Sequence, residues 1–289
     1  MDPQKADQWW GPRGFTNFTK RKNVQPGGEW IYEMKAADGK IFPNCTKYLE
    51  VQNHKKLVYN HGATEGRPAM FQVTVEFSEK SNQTRMDMTM ALPSAEAAES
   101  TKKYVRQANG DTNWDRLAEF LEFQKSGKEI FVYSRTFNSG ISKTFDAWSN
   151  PEHIMKWMAP TGFNGEYIKA DIRPGGEAFY SMSNGHVTMF GKANYLEIEK
   201  NHQIVYTQVF SDKDGKISRH PMAPTWPEVM KTTVSFHEIE PNQTLVSIQW
   251  EVFGNATNTE HETFKNSKMG ITQGWTGSFD KLEEYLNEN

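Results

Sequence analysis

Trp157-Met158-Ala159-Pro160-Thr161-Gly162-Phe163 decides how this chain is read, because Trp9-Trp10-Gly11-Pro12-Arg13-Gly14-Phe15 carries the same frame 148 positions earlier. Asn150-Pro151 answers Asp2-Pro3, and Pro174-Gly175-Gly176-Glu177 answers Pro26-Gly27-Gly28-Glu29, all at that offset. Further on, Tyr195-Leu196-Glu197-Ile198 matches Tyr48-Leu49-Glu50-Val51, Val234-Ser235-Phe236 matches Val75-Glu76-Phe77, and Asn242-Gln243-Thr244 matches Asn82-Gln83-Thr84. The spacing drifts to 147, 159 and 160 where loops differ in length. A period this long lies far outside the roughly 20 to 50 residues of solenoid repeats, so a whole domain has been duplicated in tandem. The join falls at Gln124-Lys125-Ser126-Gly127-Lys128, which places one domain in residues 1–126 and the other in 127–289.

In the second copy, Ile130-Phe131-Val132-Tyr133-Ser134-Arg135-Thr136-Phe137 reads as a strand from its β-branched and aromatic content. Ser142 is a candidate N-cap for a helix carrying Phe145 and Trp148, and Asn150-Pro151 opens a second short helix that ends before Pro160, with Trp157 in its last turn. Strands separated by turns follow, marked by Asn184-Gly185, Asp214-Gly215 and Pro241-Asn242, with Asp38-Gly39 in the first copy. Met86, Met88, Met90 and Leu92 alternate with polar neighbours, and Val246, Ile248, Trp250 and Val252 repeat that phase. Phe264, Ile271, Trp275, Phe279, Leu282 and Leu286 form one stripe on a long closing helix. Strand, short helices, meander and closing helix describe an α+β domain, an antiparallel sheet folded around a helix.

The 289 residues carry a net charge of −3, and the basic run Lys20-Arg21-Lys22 has no neighbouring cluster, which argues against a nucleic-acid surface. Mean hydropathy is −0.76 and no long apolar stretch occurs, so neither a membrane span nor a signal peptide is expected, and the reading is cytoplasmic. The single cysteine, Cys45, reads as a structural thiol.

The Trp-Gly-Pro-x-Gly-Phe passage at residues 10–15, its echo at 158–163, the Pro-Gly-Gly turns and the terminal Gly274-Trp275 helix resemble the START-like (SRPBCC) superfamily. Within it the chain is similar to the activator of heat-shock-protein-90 ATPase homologue family. That resemblance implies two helix-grip domains of START/Bet v 1 type, each a curved antiparallel sheet wrapped around a long C-terminal helix with a cavity between them. The first copy begins at the second short helix, and so reads as N-terminally truncated, or its start as lying upstream of Met1; its closing helix has Asn109-Gly110 where Gly274-Trp275 stands, with Trp114, Leu117 and Leu121 continuing the stripe. The second copy is therefore expected to be the better binding domain.

The candidate ligand-binding residues are its aromatic and methionine side chains: Trp157, Phe163, Phe179, Met182, Met189, Tyr206, Trp226, Met230, Trp250, Met269 and Trp275. Large, polarizable groups suit an irregular apolar ligand, although core packing must claim part of the set. Gly270, Gly274 and Gly277 in the closing helix imply close packing or a ligand where a side chain would intrude. Glu251 and Gln249, opposite Trp250, are expected to face solvent, and His186 and His220 lack partners at catalytic spacing. No catalytic residue, metal site or cofactor is called for; His261-Glu262-Thr263-Phe264 lacks the second histidine of a zinc-protease helix.

The reading is a binding module for a small hydrophobic molecule. Its alternatives are a cyclase- or hydrolase-type enzyme, for which His186, Glu166 or Tyr206 would have to face the cavity, and a co-chaperone acting on a heat-shock chaperone ATPase. A sheet lacking one strand exposes an edge, so the first copy is expected to form a homodimer. Light scattering on the chain, and on one extended upstream, checks this: a dimer is the expected result, and a monomer in both defeats it.

Overall fold

The computed structural model describes residues 2–62, 66, 68–81, 83–107 and 112–288. The chain divides into two compact units, Met1–Phe120 and Leu121–Asn289. The first contains α1 (Pro3–Trp9), β1 (Thr16–Lys22), β2 (Glu29–Lys35), β3 (Ile41–Gln52), β4 (Lys56–Gly62), β5 (Phe71–Lys80), β6 (Gln83–Ala91) and α2 (Ala95–Gln107); α3 (Thr112–Ser126) runs past the division. The second contains β7 (Ile130–Phe137), α4 (Ile141–Ser149), α5 (Pro151–Trp157), β8 (Asn164–Ala170), β9 (Glu177–Ser183), β10 (Thr188–Glu199), β11 (Gln203–Ser211), β12 (Met230–Glu240), β13 (Gln243–Val252), α6 (Asn258–Asn266) and α7 (Lys268–Glu288). The class is α+β, with two antiparallel sheets of six and seven strands ordered β1-β2-β3-β4-β5-β6 and β7-β13-β12-β11-β10-β9-β8.

The repeated residues form the same devices twice. Asp2 and Asn150 cap α1 and α5, each accepting from the N–H two residues on, with proline at the first helical position. In the Pro-Gly-Gly turns, Gly27 and Gly175 take φ of 79° and 78°, a region open to glycine at little cost. A Cβ on Gly28 would strike the Asn23 carbonyl oxygen, and one on Gly176 the Asp171 carbonyl oxygen. These turns are then stitched to β3 and β10: Gly27 donates to the Tyr48 carbonyl and Gly175 to the Tyr195 carbonyl, both at 2.8 Å. Bulges recur as well, between Thr19 and Arg21 and between Tyr48 and Glu50 in one sheet, and between Tyr167 and Lys169 and between Tyr195 and Glu197 in the other.

The second unit buries one continuous core in which α7 sets Trp275, Phe279, Leu282 and Leu286 against β7, α4 and α5. Fully burying each such side chain is worth roughly 1.5–3 kcal/mol. The first unit buries less: Trp30, Tyr32, Tyr48, Tyr59, Val73 and Val75 form its centre, while Met86, Met88 and Met90 of β6 are half-buried.

Four expectations are corrected. The closing stripe belongs to two helices, because Thr257 and Glu260 build a capping box that starts α6, and the chain breaks at Ser267 before α7. Gly140, not Ser142, stands at the N-cap of α4, and Ser142 lies within the helix. On α3 the apolar stripe is only partly sheltered: Leu121 is exposed, Leu117 is half-buried and Trp114 packs one side on Trp9 and Trp10, while the buried side chains are Thr112 and Asp115. Glu251 is buried between Lys231 at 2.7 Å and Lys128 at 3.4 Å, two lysines that convert an outward-pointing carboxylate into a covered ion pair. The Asn109-Gly110 pair lies outside the described residues.

The three helical glycines separate by surroundings. A Cβ on Gly277 would lie 2.5 Å from the Thr161 hydroxyl, whereas Gly270 and Gly274 are exposed and face open space. Gly270→Ala and Gly274→Ala should each stabilise the protein by about 0.5–1 kcal/mol, because alanine carries less backbone entropy into the unfolded state. Gly277→Ala should gain less than either, because the Thr161 hydroxyl must turn away to admit the methyl. Urea unfolding of the three variants checks the order.

Candidate functional site

A cavity of ≈ 30 Å³ lies in the second unit between the sheet and the short helices. On the sheet side stand Tyr167 of β8, Tyr180 and Met182 of β9, Ala193 and Tyr195 of β10, and Ile204, Tyr206 and Gln208 of β11; on the helix side stand Trp148, Ile154, Met155 and Met158. Its volume suits about two water molecules, so anything larger enters by displacing side chains. The three methionines are the groups able to yield, each an unbranched thioether with three rotatable bonds.

Strand register places the phenols. Tyr195 and Tyr206 are direct partners across β10 and β11 with ring centroids 5.7 Å apart, and Tyr167 and Tyr180 are partners across β8 and β9 at 6.3 Å. Gly191 faces Tyr180 from β10, where a Cβ would stand 2.6 Å from the phenol oxygen; glycine is what lets that ring lie flat over the strand. Met158 is positioned through its backbone: Ser278 of α7 donates to the Met158 carbonyl at 2.9 Å, and Lys281 donates to the Ala159 carbonyl.

All the lining side chains are uncharged at neutral pH. Burial pushes the phenols of Tyr180 and Tyr195 up to about 12 and those of Tyr167 and Tyr206 higher still, because a phenolate would lose its hydration. Interaction with the Tyr195 hydroxyl raises Tyr167 further. Trp148 is buried, and its indole nitrogen has no hydrogen-bond partner among the described residues.

Of the eleven side chains singled out from the sequence, Met182 and Tyr206 line this cavity. Trp157 and Met230 are fully buried core, with the Trp157 indole donating to the Ala147 carbonyl at 2.9 Å. Trp226, Trp250 and Trp275 form an aromatic chain, and Trp275 stacks on Trp148 at 6.1 Å, so this chain abuts the cavity through that indole. Phe179 pairs with Phe190 on the face of β9 and β10 opposite the phenols. Met189 lies across from Met182, while Phe163 and Met269 are half-buried in the loop before β8 and at the start of α7. His186 is exposed in the β9–β10 turn, Glu166 is exposed and accepts from Ser181, and His220 packs its ring on Phe210 at 4.6 Å.

Tyr167, Tyr180, Tyr195, Gln208, Trp148, Met155 and Met158 were not singled out. For three phenols the duplication itself held the signal: Tyr180, Tyr195 and Tyr206 repeat Tyr32, Tyr48 and Tyr59. The first unit surrounds its three with different neighbours. Trp10 stands where Met158 does, Trp30 where Ala178 does and Thr19 where Tyr167 does; the Trp10 indole donates to the Tyr32 hydroxyl at 3.1 Å, and the Trp30 ring stacks on Tyr32 at 4.2 Å.

Comparison with known proteins places both halves in one group. A family model described as Activator of Hsp90 ATPase homolog 1-like protein matches residues 1–122 and 138–287. No curated protein matches. Among solved structures, a protein from Staphylococcus epidermidis is 24% identical, with 56% of this chain and 91% of that one covered at a TM-score of 0.47. One from Chromobacterium violaceum is 21% identical, with 54% and 96% covered at 0.43. The AHSA1 protein from Silicibacter pomeroyi is 15% identical, with 55% and 97% covered at 0.43.

The phenols of Tyr167, Tyr180, Tyr195 and Tyr206 and those of Tyr32, Tyr48 and Tyr59, all raised by burial, give a pH signature. An unfolded tyrosine ionises near pH 10 whereas these hold their protons above it, so the unfolded state binds fewer protons there and stability falls as pH rises. Urea unfolding should be insensitive to these groups below about pH 9.5 and weaken steeply from about pH 10 to 12. Absorbance of tyrosinate followed with pH should show the corresponding late-ionising fraction until the fold opens.

Proposed function

The chain belongs to the Activator of Hsp90 ATPase homolog 1-like protein family, and on that footing we propose that it is a tandem helix-grip protein whose second domain binds a small, largely apolar molecule between its sheet and helices. The cavity carries this reading. Its walls pair an indole and thioethers on the helix side with phenols on the strand side, a composition typical of small-ligand sites. The methionines give such a site its adaptability, and the ligand's carbon frame replaces the contacts they give up. The first domain, with two indoles packed on the equivalent tyrosine, acts as the filled counterpart.

No catalytic step is assigned. Among the three residues the enzyme alternative named, Tyr206 alone lines the cavity, and its phenol keeps its proton throughout the physiological range. The binding reading rests instead on shape and desolvation.

A thermal-unfolding screen against apolar compounds and lipids, paired with native mass spectrometry of protein from its own host, tests the proposal. A compound present at about 100 times its Kd should stabilise the folded state by about 2.7 kcal/mol. In Gly191→Ala the added methyl pushes the Tyr180 ring into the cavity, and the same compound should bind at least about tenfold more weakly. Circular dichroism confirms that the variant is folded. A broad panel that gives no shift and a protein that carries nothing from its host would overturn the reading.

A further inference from the structure

Strand β6 forms one edge of the first sheet. Among the described residues it pairs with β5 alone, whereas β13, its counterpart in the repeat, pairs with β12 on one side and β7 on the other. Val246 and Ile248 of β13 are completely buried, while Met86 and Met88 at the same places of β6 are half-buried and Arg85, Asp87 and Thr89 beside them are exposed.

An edge presents a row of unpaired N–H and C=O groups that another chain can use, and folded proteins ordinarily blunt it with bulges, lysines, proline or a cover. The other three edges of the two sheets follow that rule. β1 has a bulge between Thr19 and Arg21 and carries Lys20-Arg21-Lys22, and β8 has a bulge between Tyr167 and Lys169. In β7, Ile130, Phe131, Val132 and Tyr133 are buried. β6 has none of these devices: its nine residues keep unbroken register with β5 and include neither proline nor lysine.

Its sequence is also complementary to itself. Arg85 and Asp87 lie two apart on the exposed face, one before and one after Met86. If two such strands run antiparallel about a two-fold axis that sets Met86 against Met86 of the partner subunit, each Arg85 falls opposite Asp87 of the partner subunit. Opposite charges in directly opposed positions stabilise a strand pair, and like charges destabilise it. Moving the axis by one residue would set Asp87 against Asp87 of the partner subunit, or Arg85 against Arg85 of the partner subunit. In the favoured register the methionines of both strands share one face.

We infer that β6 is a dimerisation edge, through which two copies of this chain pair antiparallel about Met86 and join their six-stranded sheets into one. A two-fold interface uses the same patch on both subunits, and a self-complementary strand supplies such a patch. The inference is independent of the ligand cavity, which lies in the other unit.

Light scattering of the full chain at about 100 μM should show a dimer. Arg85→Asp sets acid against acid and Asp87→Arg sets base against base, so each variant alone should dimerise at least about tenfold more weakly. An equimolar mixture of the two variants restores acid opposite base at both positions. Native mass spectrometry of that mixture should show the heterodimer regained, which misfolded variants would not give. Hydrogen exchange at the β6 amides should slow as protein concentration rises. A chain that stays monomeric, a dimer that neither variant weakens, or a mixture that associates no better than its components overturns the inference. So does slow exchange at β6 in the monomer, which means that another segment covers the edge.

Discussion

The hold of the closing helix on the loop after the short helix is the constraint on which each unit depends. A short helix ends with carbonyls that have no partner of their own, and here the chain turns away through Pro12 or Pro160 and a positive-φ glycine, Gly14 or Gly162. A cation from the closing helix meets them. In the second unit Lys281 donates to the Ala159 carbonyl while Ser278 donates to that of Met158; in the first, Arg116 donates to the carbonyls of Gly11, Pro12 and Phe15 and Asn113 accepts from the Gly11 N–H. Burial lowers the Arg116 guanidinium to about 10, which still leaves it charged at neutral pH. Hydrogen bonds to charged groups are worth about 1.5–3 kcal/mol each, so this grip ties helix, loop and first strand into one body.

On that shared frame the two units have taken different fillings. Trp10, Trp30 and Thr19 close over Tyr32 in the first, with the Trp30 indole donating to the Thr19 hydroxyl at 3.0 Å. In the second, Met158 and Ala178 are smaller than the two indoles they replace while Tyr167 is larger than Thr19, and Met158 and Tyr167 line the cavity. Exchanging large for small side chains in a core costs stability in proportion to the space left unfilled, and the extensive aromatic packing of Trp148, Trp157, Trp275 and Phe279 offsets that cost elsewhere in the unit. The basic run of the first unit fits the same account. Lys20 and Arg21 pair with Glu33 and Glu29 across β1 and β2, while Lys22 lies 3.6 Å from the centre of the Trp30 ring, where burial lowers it to about 8.

Much of the fold was legible because its signals are local. Alternation placed β6 and β13, turn residues placed the hairpins, and Asp2 and Asn150 placed α1 and α5, since each acts within a few residues of itself. The site was less legible. Trp157 and Trp275 have the composition expected of a pocket, yet burial makes them core, and sequence composition does not distinguish a wall from an interior. Glu251 was misplaced for a related reason: its outward phase along β13 was read correctly, but Lys231 from β12 and Lys128 from the segment before β7 arrive to cover it.

By itself the sequence determined the duplication, the α+β class, the turns marked by glycine and the caps at Asp2 and Asn150, because a repeat and a turn are carried by neighbouring residues. Only the tertiary structure decided which residues wall the cavity of the second unit. Those residues come from two helices and four strands, and whether they leave space depends on volumes summed across the chain: Gly191 admitting the Tyr180 ring, Met158 in place of Trp10, Ala178 in place of Trp30. Packing is a property of the sum, and no single stretch of sequence contains it.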